Sequence, residues 1–198
     1  MELLKERAES GRIYIMNIDH CNSHSSFFED EAKISMSNLC QEITLPTTPL
    51  TSPNDKKGEV ALCILSAINV GNLTNDLKEL PELCDLAVRA LDEVIEYQDY
   101  PLPAAEISTK RRRSLGIGFI GLAHFLAKNK VKYDDPEAWK LVHRLAEHFQ
   151  YNLLKTSIQL SKEKGSCDGW NETKYFGGLM PIDHYKKDVD ELVKPEYE

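Results

Sequence analysis

Apolar residues recur along this chain with more than one period, and the helical period is the clearest. From Pro81 to Tyr97 the positions Leu83, Leu86, Ala87, Ala90, Leu91, Val94 and Ile95 fall three or four apart, which makes one face of a helix apolar. A longer stripe of Leu141, Leu145, Phe149, Leu153 and Ile158 runs toward Gly165. It opens on Asp135-Pro136-Glu137, an N-cap followed by a proline at the first helical position and an early acid. Leu3 to Ser10 reads as the tail of a helix that Gly11 stops. Leu115 to Lys128 is Gly-rich and apolar, predicted helical from Phe119 onward, with glycines allowing close packing at its start.

Extended segments carry a different pattern. Arg12-Ile13-Tyr14-Ile15-Met16 offers β-branched and aromatic residues for a strand. Within Glu59 to Val70, the unbroken run Val60-Ala61-Leu62-Cys63-Ile64-Leu65 is the signature of a strand covered on both faces, as parallel sheets produce. Ser35 to Leu45 is extended by pattern, and Pro46, Pro49 and Pro53 close it with a polar connection ending at Gly58. Asn17 to Glu31, rich in Ser, Asn, His and Asp, reads as a loop, and Asp183 to Glu198 as a charged end.

Composition narrows the class. With 198 residues, 41% of them apolar and 28% charged, the chain can bury one sizeable core as a domain or as part of a larger one. A helix that ends almost where the chain starts suggests a larger surrounding architecture. A net charge of -8 argues against general attraction to nucleic acid, while leaving room for a local basic pocket. Lys110-Arg111-Arg112-Arg113 reads as a solvated loop or interface edge. There is no run of about 18 apolar residues, and the first residues are charged, so no membrane contact and a cytoplasmic location are expected. The five cysteines (Cys21, Cys40, Cys63, Cys84, Cys167) are widely spaced without C-x-x-C, so neither a secreted disulfide framework nor a zinc site is indicated. Cys84 is read as helix-face core, Cys21 as a loop residue and Cys167 as a surface residue after a helix.

Chemistry gathers in Ser37-Asn38-Leu39-Cys40-Gln41-Glu42-Ile43. If this segment is extended, its period of two puts the Asn38 amide, the Cys40 thiol and the Glu42 carboxylate on one face. A thiol can become a thiyl radical whose S–H bond is close in strength to an activated sugar C–H, so hydrogen abstraction is nearly balanced. A carboxylate beside it can take a hydroxyl proton, and an amide can hold a substrate by hydrogen bonding. The same N-x-C-x-E spacing also fits a structural cysteine in a polar-edged strand, and spacing alone does not choose.

Longer stretches do choose. Arg12-Ile13-Tyr14-Ile15-Met16-Asn17-Ile18-Asp19-His20-Cys21-Asn22 and Ser37 through Thr47 resemble the middle of the class I ribonucleotide reductase large, catalytic subunit. Gly58 through Ala67 is similar to that family's next barrel strand, and Tyr97-Gln98-Asp99-Tyr100-Pro101 and Arg112 through Gly118 are similar to its later landmarks, so the resemblance covers essentially the whole chain.

The resemblance implies a fold, a chemistry and partners. The fold is α/β, part of a ten-stranded α/β barrel with a finger loop carrying the radical cysteine. Residues 1–198 would be a fragment of the barrel domain, without the N-terminal regulatory region or the C-terminal part of the barrel. Cys40 becomes the thiyl that removes the ribose 3′ hydrogen, Glu42 the base at the 3′ hydroxyl, and Asn38 a substrate-binding, proton-handling partner. The stretch Asn38, Leu39, Cys40, Gln41 and Glu42 lines the substrate. Cys63 matches one half of a reducing pair that closes to a disulfide in turnover; the other half lies on an earlier strand with no match in this sequence. No cofactor or metal is expected on this chain itself. A metal-containing small subunit supplies the radical, and thioredoxin or glutaredoxin reduces the full enzyme.

The phosphate-binding loop, the paired tyrosines of radical transfer and the C-terminal relay cysteines also have no match. The isolated chain is therefore expected to be inactive, with the remaining large-subunit segments, the small subunit and a ribonucleotide as its partners. A split or truncated subunit is the leading expectation, a non-catalytic remnant of a disrupted gene the second. The cobalamin-dependent class shares N-x-C-x-E, but the proline-rich continuation after Glu42 and Tyr97 to Pro101 favour class I.

Overall fold

The structure, a computed structural model, describes residues 2–184. The charged segment expected from Asp183 onward lies mostly outside them. The main elements in chain order are α1 (Glu2–Ser10), α2 (Ile18–Ser23), β1 (Ile64–Asn69), α3 (Leu80–Tyr97), α4 (Pro103–Arg112), β2 (Leu115–Ile120), α5 (Leu122–Lys128) and α6 (Pro136–Lys164). They divide between two compact units: residues 2–62, 101–108 and 169–184 form one, and 63–100 with 109–168 the other.

In the first unit α1 ends as its sequence dictates, with Gly11 at a φ of 67° and its N–H donating to the Arg7 carbonyl. Most of the unit is irregular backbone, so its polar groups are satisfied by single bonds rather than by ladders. Phe27 and Thr173 form an antiparallel bridge, flanked by bonds from Phe28 N–H to the Glu172 carbonyl and from Lys174 N–H to the Ser26 carbonyl. Apolar anchors are few and deep: Ile34, Pro46, Ala104 and Ala105 are buried, and the Ser108 hydroxyl donates to the Val60 carbonyl at 2.5 Å. Arg12–Met16, expected as a strand, has no sheet partner among the described residues, and a ladder is what would make it one. Within Asn17 to Glu31, expected as a loop, Ile18–Ser23 instead makes the short helix α2.

The second unit is built on a parallel β1-β2 pair, registered from Ile64↔Leu115 to Asn69↔Ile120. The strand begins later than the apolar run suggested. Residues 60–63 have no ladder partner among the described residues, and β1 alternates instead of being covered on both faces, with Ile68 buried and Leu65 exposed. Leu115–Ile120, expected to lead into a helix from Phe119, is β2; its glycines occupy strand positions, and the helix starts only after Gly121. Close packing at these glycines is nonetheless real. Gly121 sits at a φ of 81°, and a Cβ there would lie 2.4 Å from Asn69 Oδ1.

Helices α3 and α6 form where the apolar period predicted them, but their buried faces only partly match the predicted stripes. In α3 Leu91 and Ile95 are buried with Leu80, Cys84 and Val88 while Leu86, Ala90 and Val94 are exposed, and in α6 Leu145 and Phe149 are buried while Ile158 is exposed. Asp135 caps α6 by accepting the Glu137 N–H, Pro136 stands at its start, and Gly165 closes it. The core joins Ile68, Val70, Leu80, Cys84, Phe125, Leu145 and Phe149, with the Phe119 and Phe149 rings edge to face at 5.5 Å. The segment after Pro101 is helix α4, whose Pro103 start, early Glu106 and terminal Lys110, Arg111 and Arg112 match the helix dipole. The basic run is therefore a helix end rather than a loop.

Arg113, just beyond that end at a φ of 49°, turns inward to bond Asp92 at 2.7 Å and to pair with Glu96. Lys164 reaches the other Asp92 oxygen at 2.9 Å from the last turn of α6. Asp92 is a buried carboxylate, and burial acts to raise its pKa. The hydrogen bonds from Arg113 and Lys164 outweigh that, and the net direction is down from 3.8. A depressed carboxylate stabilises the fold fully above its ordinary pKa and stops doing so as pH falls through the lowered value. Asp92→Asn is expected to cost about 3 kcal/mol in urea unfolding near neutral pH, the low end for breaking a buried pair because Lys164 is half exposed. Its deficit relative to wild type should shrink below pH 3.8.

Candidate active site

The segment that carries Asn38, Cys40 and Glu42 is a tied-down loop with a turn at its tip, not a strand. The Gln41 N–H donates to the Asn38 carbonyl at 3.1 Å, closing a turn with Leu39 and Cys40 in its middle. Gln41 takes a left-handed φ of 60° to leave it. Alternation on a strand face would keep residues 38 and 42 well apart. The reversal instead brings them together, and the Asn38 amide donates to Glu42 Oε1 at 2.6 Å. Asn38 Oδ1 accepts the Ile43 N–H at 3.1 Å, and the Ser37 hydroxyl donates to the Ile43 carbonyl at 2.8 Å.

Cys40 is exposed at the apex beside Leu39, which is 79% exposed, and Gln41 is half-buried at the exit. The sequence-derived trio is thus brought together differently from expectation: amide and carboxylate touch across the turn, and Cys40 is exposed within it. A carboxylate that accepts an amide N–H retains free lone pairs for a substrate hydroxyl proton. The Asn38 side chain spends both its ends on the loop, so it shapes the tip as well as offering a polar contact.

Cys63 lies in the second unit, immediately before β1, half-buried, with its Sγ 4.0 Å from the Ile64 carbonyl oxygen. The neighbouring strand makes room for it at Gly116. A Cβ there would lie 2.9 Å from the Cys63 sulfur and 2.4 Å from a Leu65 methyl, closer than real Cβ contacts. The sequence marked Gly116 only as a close-packing glycine at the start of an expected helix, and nothing in it pointed to the sulfur of Cys63. The other thiols differ. Cys84 is fully buried in the α3 core, as expected, and burial pushes its pKa up to about 11. Cys21 lies in α2 and Cys167 beyond α6, both half-buried, and none of the five is in a disulfide. His20 and His24 meet edge to face at 6.2 Å, and among the described residues no group of three metal-ligating side chains is gathered. No helix of the described residues is long and apolar enough to cross a membrane.

A sequence-family model described as "Ribonucleotide reductase, barrel domain" matches residues 1–197. The chain belongs to the ribonucleotide reductase family. Among curated relatives it is 57% identical to the ribonucleoside-diphosphate reductase subunit alpha of Buchnera aphidicola subsp. Schizaphis graminum over 96% of this chain and 25% of the relative. The subunit alpha of Haemophilus influenzae is 56% identical over 97% of this chain and 25% of the relative, and that of enterobacteria phage T4 is 42% identical over 98% and 25%. This chain therefore spans about a quarter of the length of the curated relatives it matches. The large-subunit resemblance and the α/β barrel class it implied are borne out: the reductase barrel match covers nearly all of the chain, whose described part mixes helices with a parallel strand pair.

Two expectations follow from this geometry. Alkylation by iodoacetamide at pH 8, followed by peptide mass mapping, should label Cys40 first and Cys84 last, since one thiol is exposed and the other is held protonated by burial. Gly116→Ala should displace the Cys63 sulfur and change its alkylation rate by severalfold or more while leaving the Cys40 rate alone.

Proposed function

We propose that this chain supplies the radical-bearing piece of the barrel domain of a ribonucleoside-diphosphate reductase catalytic subunit, and that it works only with the remaining segments of that subunit. The observation that carries the reading is the tip of the 33–47 loop, where the Asn38 amide and the Glu42 carboxylate meet at 2.6 Å beneath an exposed Cys40. The relatives' name, a diphosphate reductase subunit alpha, supports the substrate class.

In this proposal Cys40, as a thiyl radical, takes the hydrogen atom from ribose C3′, forming S–H and leaving a carbon radical. Glu42 accepts the 3′ hydroxyl proton, and Asn38 and the backbone of Leu39 and Gln41 position the sugar. The 2′ hydroxyl leaves as water. Cys63 and a second thiol from another segment of the subunit together give up two electrons and two protons and close to a disulfide. Cys40 then returns its hydrogen atom to C3′ and is a thiyl again, and Glu42 returns its proton to the 3′ oxygen. One C–OH and two S–H groups become one C–H, one S–S and one water, so the cycle balances and Cys40 is unchanged by it.

A small metal-containing subunit starts the radical, and a thioredoxin- or glutaredoxin-type dithiol reopens the disulfide. Holding the nucleotide phosphates falls to residues outside this chain, and without them the sugar has no fixed place against Cys40. The test is co-expression of this chain with the remaining large-subunit segments and the small subunit. Deoxynucleotide should form from the assembly and not from this chain alone, Cys40→Ser should abolish it, and Cys84→Ala should leave it within about threefold at equal folded concentration. An assembly that forms no deoxynucleotide, or one in which Cys40→Ser is as active as wild type, would contradict the reading and leave a non-catalytic remnant.

A further inference from the structure

Asn22 is a polar side chain buried to 2% exposure, in α2 and far in sequence from the thiol. Its carboxamide grips one residue by both backbone groups: Oδ1 accepts the Ile34 N–H at 2.8 Å and Nδ2 donates to the Ile34 carbonyl at 2.9 Å. The same Nδ2 donates to the Ile18 carbonyl at 3.0 Å, which ties the grip back to its own helix. A residue whose N–H and C=O are both taken by one partner is held as a neighbouring strand would hold it. Here a single side chain replaces the ladder that this segment lacks.

Ile34 is the buried foot of the loop whose tip carries Cys40, and its own side chain is fully enclosed. Beyond it Ser35 and Met36 are exposed, and the bonded frame of the tip begins only at Ser37. On the return side Pro46 is buried, and the Thr47 N–H reaches the Lys33 carbonyl at a long 3.4 Å. The outgoing arm is therefore fixed at Ile34 and then runs unsupported to the turn. Six residues can reach up to about 20 Å, so a rotation of about 5° at the foot moves the tip by nearly 2 Å. A displacement of about 1 Å in a reacting group can cost about a hundredfold in rate.

We infer that Asn22 is a positioning residue for Cys40: its double hydrogen bond to Ile34 sets the direction in which the loop presents the thiol. This rests on the proposed radical role of Cys40, and the test separates the two. Amide hydrogen exchange on this chain and steady-state kinetics on the assembled reductase are compared for wild type, Asn22→Ala, Asn22→Asp and Cys40→Ser. Asn22→Ala loses every bond; Asn22→Asp keeps an acceptor for the Ile34 N–H but loses the donor, and it serves as the second variant should the alanine chain not fold.

Exchange should accelerate roughly tenfold across residues 33–47 in Asn22→Ala, and at least as much in Asn22→Asp, whose buried carboxylate faces the Ile34 and Ile18 carbonyls, with α3 and α6 unchanged. In the assembly kcat should fall by about tenfold to a hundredfold while KM stays within about twofold. Exchange that rises uniformly through both units, that does not change at 33–47, or that rises there without loss of kcat overturns the inference. If Cys40→Ser is inactive and Asn22→Ala fully active, the anchor falls alone; if Cys40→Ser is active, the radical role and the anchor fall together.

Discussion

A loop can keep a reactive thiol in one place only if its own backbone polar groups are satisfied, and in this chain side-chain carboxamides meet that constraint. Asn38 closes the tip by bonding Glu42 and Ile43, and Asn22 closes the foot by bonding both backbone groups of Ile34. Without them the segment from Ile34 to Pro46 would be a strap between two buried residues, free to sample many paths. The chemistry read into Cys40, Glu42 and Asn38 depends on that confinement, since radical abstraction needs a sulfur at contact distance from one carbon.

The second unit provides a different kind of precision. Parallel pairing of β1 with β2 fixes a register in which Leu65 faces Gly116, and the missing side chain at that glycine leaves the space beside the Cys63 sulfur. The strands are held from behind by α3 and α6, which share the core around Cys84, Leu145 and Phe149 and are cross-linked by Arg89 to Glu163. That ion pair is partly exposed and orients the helices more than it stabilises them. The buried Asp92 junction is the stronger tie, since its carboxylate binds Arg113 and Lys164 at once.

The existence and span of α3 and α6 were legible in the sequence, because an apolar period and a proline at the start mark each helix; the face each buries was less so, since Leu86, Val94 and Ile158 are exposed while Cys84, Val88 and Leu160 are buried. The strands were not legible. Val60 to Leu65 looked continuous and doubly covered, yet only a partner strand decides where a ladder begins, and β2 starts opposite Ile64. The glycines of Leu115–Ile120 hid a strand inside what read as a helix start, and α4 was missed although Pro103 and its basic last turn announced it. At the candidate site the residue identities came from the sequence and the resemblance, while the geometry did not. A strand face was expected, and a turn brings Asn38 to Glu42 instead, because the Gln41 N–H closes back on the Asn38 carbonyl and Gln41 leaves the turn in a left-handed conformation. Asn22 and Gly116 lie within stretches that carry the resemblance, but the local pattern gave neither its role, since a polar residue in a polar stretch and a glycine in an apolar one are both unremarkable until their neighbours are known.

The measurement that bears most directly on the account is a structure of the assembled catalytic subunit, containing this chain, with a ribonucleoside diphosphate bound. In that structure the Cys40 sulfur is expected at about 3–3.5 Å from ribose C3′, with the Glu42 carboxylate within hydrogen-bonding reach of the 3′ oxygen. A sulfur turned to bulk solvent, or a sugar bound well away from the tip of the loop, would contradict it.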